Sequence, residues 1–270
     1  MKAAMRLPGR RFLHLSWIAA TFGSAIALAA PTACDAAEIK ILTSRARNHV
    51  LTELGAAFER PSGHKITLIL APPTEIVRRV ENGEIVDVVM SGASVNHLTE
   101  QGKIAPADRV LLARVGIGVA VRAGSPKPDI SSPEALRRTL LAAKSIVYTD
   151  PAVGGASGIQ FEKVIDNLGI AKEIKAKSIL NARAATKPSA EFVARGEAEL
   201  GIQLISEIVS VPGAELLGPL PADLQAMNVI SAGIVTTASE PDAARVLFKF
   251  LTSPAAAAVI KATGMEPGGS

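Results

Sequence analysis

Short runs of β-branched residues alternate with longer amphipathic stretches along nearly the whole chain, and this rhythm limits the fold more than any other feature. Glu38-Ile39-Lys40-Ile41-Leu42 reads as a strand. Residues 49–60 follow as a helix, with Val50, Leu51, Leu54 and Phe58 recurring at helical spacing. Lys65 to Leu70 is a second strand, 74–82 a helix ending before Gly83, and 86–90 a third strand. A helix over 94–101 stops at Gly102, the residue type that most often closes a helix. Such alternation predicts parallel strands covered by helices on both faces.

The rhythm changes over 109–122, where 110–112 and 115–121 read as consecutive strand segments. It resumes with helices over 133–143, 159–168 and 188–195 and strands over 145–148, 176–179 and 200–203. One long apolar strand, 227–235, follows Pro219 and Pro221, and helices over 241–251 and 254–263 close the pattern. The expected fold class is α/β in two lobes, each a mainly parallel sheet flanked by helices. Residues 38–117 begin the first lobe, 118–226 form the second, and 227–270 return to the first. One large doubly wound domain is the simpler alternative.

Residues 1–37 stand apart. Lys2, Arg6, Arg10 and Arg11 precede an apolar run over 12–30 and the small-residue segment Ala33-Cys34-Asp35-Ala36-Ala37. This is the plan of a secretory signal peptide, with cleavage expected near Ala36 or Ala37 and the mature protein in the periplasm. The run is also long enough to span a bilayer, which is the competing reading. Cys34 lacks the aliphatic residue three positions upstream that a lipid anchor requires. The net charge of +4 falls to +1 beyond this leader, so no basic surface is left for nucleic acid. Tyr148 and five Phe are the only aromatics beyond it, which argues against sugars and quaternary ammonium ligands.

Catalytic motifs are missing. His49, His64 and His97 show no metal spacing, G-x-S-x-G and Walker sequences do not occur, and no cysteine follows the leader. The expectation is a protein that is not an enzyme, with no cofactor and no metal. What the sequence offers instead is small hydroxyl residues between strand ends and helix starts. Ser44 lies in Thr43-Ser44-Arg45-Ala46, Ser91 and Gly92 in Ser91-Gly92-Ala93-Ser94, and Ser157 in the glycine-rich turn that follows Asp150-Pro151. Ligands of open α/β sheets collect at the carboxyl ends of strands, where helix N-termini offer free N–H groups to an anion. Ordinary helix capping uses the same residues. Arg45 and Arg47 sit in the first helical turn, which aims one of them at the cleft mouth. Arg45 is the candidate ligand contact, because a guanidinium matches a carboxylate or phosphate with two parallel hydrogen bonds.

Several stretches together resemble the periplasmic molybdate-binding proteins of ABC transporters, or a divergent sister group of solute-binding proteins. They are Ala56 to Lys65, Val86-Asp87-Val88-Val89-Met90-Ser91, Leu98 to Ile104, Asp150-Pro151 with its glycine-rich turn, Gly196 to Ile202, and Phe250-Leu251-Thr252-Ser253-Pro254. The resemblance covers about 38–267 and implies the two-lobed periplasmic solute-binding fold (type II), closing on a tetrahedral oxyanion through neutral dipoles without catalysis. It places Ser91 on an oxyanion-contacting serine, Ser157 near a backbone contact, and Thr186 near a further backbone donor. Ala46 falls where the family has its first-loop serine, leaving Ser44 as the displaced candidate. Ala71-Pro72-Pro73-Thr74 replaces a small-residue loop, and Leu204 replaces a tyrosine. The implied function is delivery of a molybdate- or tungstate-type anion to an inner-membrane ABC permease and its ATPase, by a monomer whose lobes close by hinge bending. A receptor for a small organic acid, a secreted enzyme and a sensor domain are the alternatives.

Overall fold

The computed structural model describes residues 36–44, 47–153, 155–184 and 186–268. Nearly all of the leader, and Arg45, lie outside them. The chain opens with β1 (Glu38–Thr43), α1 (Asn48–Ser62), β2 (Lys65–Leu70), α2 (Pro73–Glu81), β3 (Val88–Met90) and α3 (Gly92–Glu100). Two crossing strands follow, β4 (Ile104–Val115) and β5 (Ile117–Arg122). Next come α4 (Pro133–Ala142), β6 (Ile146–Thr149), α5 (Ala156–Asn167), α6 (Ala171–Lys175), β7 (Ser178–Asn181), α7 (Ser189–Ala194), β8 (Leu200–Leu204), α8 (Ile205–Val209) and β9 (Ala214–Pro219). The chain then returns through β10 (Asn228–Val235), α9 (Pro241–Leu251), α10 (Pro254–Ala262) and β11 (Glu266–Pro267).

These strands form two sheets, ordered β11-β4-β10-β3-β1-β2 and β7-β6-β8-β5-β9. Strands joined through helices pair in parallel: β1 with β2 and β3, and β6 with β7 and β8. The strands that carry the chain between sheets enter antiparallel, so each sheet is mixed. The physical reason is connectivity. A parallel neighbour needs a crossover helix, whereas β5 and β10 enter directly from the other lobe and β4 leaves directly for it.

Alternation along β1 and β3 divides the first lobe's core. Ile39, Ile41, Val88 and Met90 face α1, α9 and α10, burying Leu54, Phe58, Leu247 and Ile260. Leu42 and Val89 face α2 and α3, with Ile76, Val80, Val95 and Leu98. The buried carboxylate of Asp87 accepts the N–H groups of Lys40 and Glu240, both at 2.8 Å, which ties β1 to the start of α9. The second lobe has its own core, where Tyr148 meets Phe161 edge to face with ring centres 5.0 Å apart.

The lobes join at Gly116 and along 220–227. There the Gln225 amide clamps Ile117, accepting its N–H at 2.8 Å and donating to its carbonyl at 2.9 Å. A Cβ at Gly116 would lie 2.9 Å from that amide, so a side chain there would have to displace the clamp.

Candidate functional site

Parallel pairing places the loops after β1 and β3 side by side. Thr43 lies opposite Met90 and its hydroxyl donates to the Met90 carbonyl at 2.9 Å. Ser44 and Ser91 therefore leave the sheet at the same end, and both are buried. Ser94 donates to Ser91 at 3.2 Å. Gly92, beginning α3, is pressed onto the hinge strand, with a Cβ position 2.3 Å from the Val229 carbonyl oxygen. In the second lobe the corresponding strand ends are Thr149 and Leu204. The buried Ser157 donates to Thr149 Oγ1 at 3.4 Å, and a Cβ on Gly158 would fall 1.9 Å from the Thr149 carbonyl oxygen. Among the described residues, no N-cap side chain bonds the first N–H groups of α1, α3 or α5, which have no partner within their own helices. Thr186 is exposed and donates to the Arg183 carbonyl, within a loop that Asn181 holds through Arg183, Lys187 and Ser189.

Two charged side chains and an amide complete the site. Arg47 stands at the entry to α1 and donates through Nη1 to Ser44 Oγ. Its Nε is buried with no hydrogen-bond partner among the described residues. From the second lobe, Gln203 near the end of β8 accepts the Ala190 N–H through Oε1 at 3.1 Å, while its buried Nε2 makes no hydrogen bond of ordinary length and is turned to the Glu207 carboxyl. Glu207, in the first turn of α8, lies among these groups. Its desolvation pushes the carboxyl up to about 7, against the pull of the Gln203 amide, Arg47 and the Leu204 N–H. The same burial lowers the Arg47 guanidinium, with Glu207 acting in opposition.

The ends of β1 and β8 thus bring an arginine from one lobe to a carboxyl and an amide from the other. Beside them a small cavity of about 20 Å³ is lined by Arg47, His49, Leu204, Ser206, Asn228 and Thr263. The buried Arg47 Nε, part of a guanidinium, and the buried Gln203 Nε2 are donors suited to an anion that takes two hydrogen bonds. A carboxyl that changes charge near neutral pH adds a group able to take or give a proton. Among the described residues, no three of His, Cys, Asp and Glu gather closely enough to hold a metal ion.

Of the residues singled out in the sequence, Ser44 and Ser91 share one sheet end, Ser157 occupies the comparable end of the other sheet, and Thr186 lies out on an exposed loop. Gln203 and Glu207 were not foreseen. Gln203 reads as the last residue of an apolar strand. The only local sign of α8 is the spacing of Ile205, Ile208 and Val209, with a glutamate at the third helical position.

The model of the bacterial extracellular solute-binding proteins matches residues 39–266. An aconitate isomerase from a Pseudomonas species is 34% identical over 236 residues, spanning 85% of this chain and 87% of that protein. The molybdate-binding protein ModA of Azotobacter vinelandii is 27% identical over 240 residues, covering 86% and 91%. The solved periplasmic molybdate-binding protein of Azotobacter vinelandii superposes with a TM-score of 0.68 at 21% identity, over 84% of this chain and 98% of that one. The chain belongs to the bacterial extracellular solute-binding protein family and has its type II periplasmic binding fold.

Proposed function

We propose that this protein is a periplasmic receptor that takes a small organic polycarboxylate between its lobes and presents it to an inner-membrane ABC permease and its ATPase. Residues 1–37 are its export signal in this reading. The observation that carries it is Arg47, whose Nε edge is buried and unpaired while Nη1 is anchored on Ser44. A guanidinium fixed in this way is a fork for a planar carboxylate. Gln203 Nε2, buried beside Glu207 on the opposite wall, takes a second carboxylate or the far oxygen of the first.

A thermal-shift screen over cis- and trans-aconitate, tricarballylate, succinate, molybdate, tungstate, sulfate and phosphate tests this. A specific ligand at 100 times its Kd adds about 2.7 kcal/mol, or roughly 5–10 °C for a chain of this size. A shift with a polycarboxylate is expected. A shift confined to molybdate or tungstate overturns the carboxylate reading in favour of an oxyanion receptor.

A second reading, isomerisation of the bound acid, is favoured by the 34% identity to a protein named for that activity on aconitate, an unsaturated tricarboxylate.

A further inference from the structure

The cavity beside Arg47 is one-sided in its chemistry. About 20 Å³ in volume, it is walled by Val50, Leu204 and Ile230 and takes polar groups from Arg47, Asn228 and Ser206, with no aspartate or glutamate along it. Arg47 is the N-cap residue of α1 and Val50 its third helical residue, so one wall is the first turn of a 15-residue helix whose N–H groups receive no side-chain cap. A helix N-terminus attracts negative charge. A second, independent feature points the same way. The Arg47 Nε–H is buried and has no hydrogen-bond partner among the described residues. A buried donor of this kind is uncommon and costs stability until something accepts from it.

Volume and polarity together restrict that acceptor. One water needs about 10–15 Å³, so the cavity takes a single particle of that order, or one oxygen of a larger anion whose remainder stays in the cleft outside. Water would satisfy the donor and leave the guanidinium charge uncompensated. Among the described residues, Arg47 makes no ion pair within salt-bridge distance. Glu207, whose charge acts on it, is pushed up to about 7 and offsets only part of that charge near neutral pH. A monatomic anion meets both needs at once. The apolar walls select chloride over fluoride, which gives up its water less readily.

We propose that this cavity is a chloride site, in which the ion accepts the Arg47 Nε–H and shares the space with Asn228 and Ser206. Its walls come from both lobes, Arg47 and Val50 from the first, Leu204 and Ser206 from the second. Chloride therefore binds best when these walls are together, and its occupancy steadies the junction between the lobes. The site goes beyond the receptor reading, and one consequence rests on that reading. A ligand carboxylate uses the same donor, so chloride competes with the polycarboxylate for Arg47.

The experiment takes the full chain in sodium gluconate and exchanges this stepwise for sodium chloride, bromide or fluoride at constant ionic strength, with thermal unfolding as the readout. Chloride and bromide are expected to raise the Tm by about 3–6 °C at ten times their Kd, and fluoride by much less. R47Q removes the guanidinium, and N228L replaces the amide by an apolar group of similar size. Both are expected to lose the halide-specific rise. Crystals soaked in bromide are expected to show an anomalous scattering peak beside Nε. No halide-specific rise in the wild type overturns the proposal, as does a rise that survives in both variants or a bromide peak found only elsewhere. Calorimetry with tricarballylate reads the competition, with an apparent Kd about 10-fold weaker at ten times the chloride Kd. Unchanged affinity overturns the assignment of chloride to Nε. A wild type that shows the halide rise and binds no polycarboxylate overturns the receptor reading alone, and the chloride site stands.

Discussion

Arg47 and Glu207 come from different lobes, and desolvation drives each toward its neutral form while the charge of the other opposes the shift. A lone guanidinium without a counter-charge is costly to bury, and so is a lone carboxylate. Among the described residues the two make no ion pair within salt-bridge distance, so removing Arg47 should act on binding more than on folding. Arg47→Ala is expected to weaken polycarboxylate binding by about 2–4 kcal/mol, roughly 30- to 1,000-fold, as read by calorimetry. Arg47→Lys should recover little of this, because an ammonium lacks the planar fork. Equal affinity in all three proteins would remove Arg47 from the site. Glu207 makes a separate prediction about stability. Its pKa is raised to about 7 in the folded protein, so the native state keeps a proton that the unfolded chain has already lost above the ordinary carboxylate range. Stability contributed by this group therefore falls as pH rises from about 4.5 to 7 and levels off beyond. Glu207→Gln is expected to stabilise the ligand-free protein by about 1–2 kcal/mol at pH 8 and to leave it unchanged near pH 4, measured by urea unfolding. A destabilised variant at pH 8 would mean that the carboxylate is better solvated than its surroundings imply.

Among the elements, those with long apolar periods were legible and those without were not. The spacing of Val50, Leu51, Leu54 and Phe58 marks α1, and Pro241 and Pro254 mark the starts of α9 and α10. β4 begins at Ile104, earlier than its sequence implies, because Pro106, Asp108 and Arg109 interrupt the apolar run while the strand still pairs with β10 at Arg109 and Val110. α8 is five residues long and is entered from Leu204, with no side-chain cap to announce it. The hydroxyl loops were legible because each follows its own strand. The meeting of Arg47 with Gln203 and Glu207 was not, since it depends on β8 lying between β6 and β5, which no local pattern encodes. Glycines separate the two kinds of constraint. Gly158 packs α5 onto β6 so closely that a methyl group would strike the Thr149 carbonyl oxygen at 1.9 Å. Gly158→Ala should cost about 2–3 kcal/mol by urea unfolding, as overpacking does. Gly55, inside α1, would bring its methyl only to ordinary contact with Ile66 at 3.8 Å. Gly55→Ala should stabilise by about 0.5–1 kcal/mol through helix propensity. Similar losses at both positions would show that the close approach at Gly158 is not what sets its residue type.

At the scale of the whole molecule, the question is what decides how the two walls of the cleft face each other. Each lobe has its own core, and the chain crosses between them only at Gly116 and along 220–227. A third contact lies outside those crossings. Leu204 and Ile205, which lead into α8, pack against the first lobe's core, and the turn after α10 abuts α8 from the same side. The close point is Gly264, whose Cβ position is 3.1 Å from Ile205 and 3.3 Å from Val209. The C-terminal turn of one lobe thus acts as a stop for the helix that carries Glu207 in the other. Gly264 has φ +75°, as does the unrelated turn at Gly83 with φ +81°, but nothing lies within 4 Å of a Cβ at Gly83. Alanine at either position pays the same left-handed strain, about 1–2 kcal/mol. Only at Gly264 does the methyl group also push α8 away from the first lobe. Gly83→Ala is expected to lower stability and leave ligand affinity alone. Gly264→Ala is expected to lower stability by a similar amount and to weaken binding by about 5- to 10-fold, because the Arg47 fork and the Gln203 amide no longer converge and only a fraction of molecules is competent. Calorimetry at a temperature where both variants are folded separates the two effects. Equal affinities would mean that the crossings at Gly116 and Gln225 alone set the cleft, and that the C-terminal turn is a passive neighbour of α8.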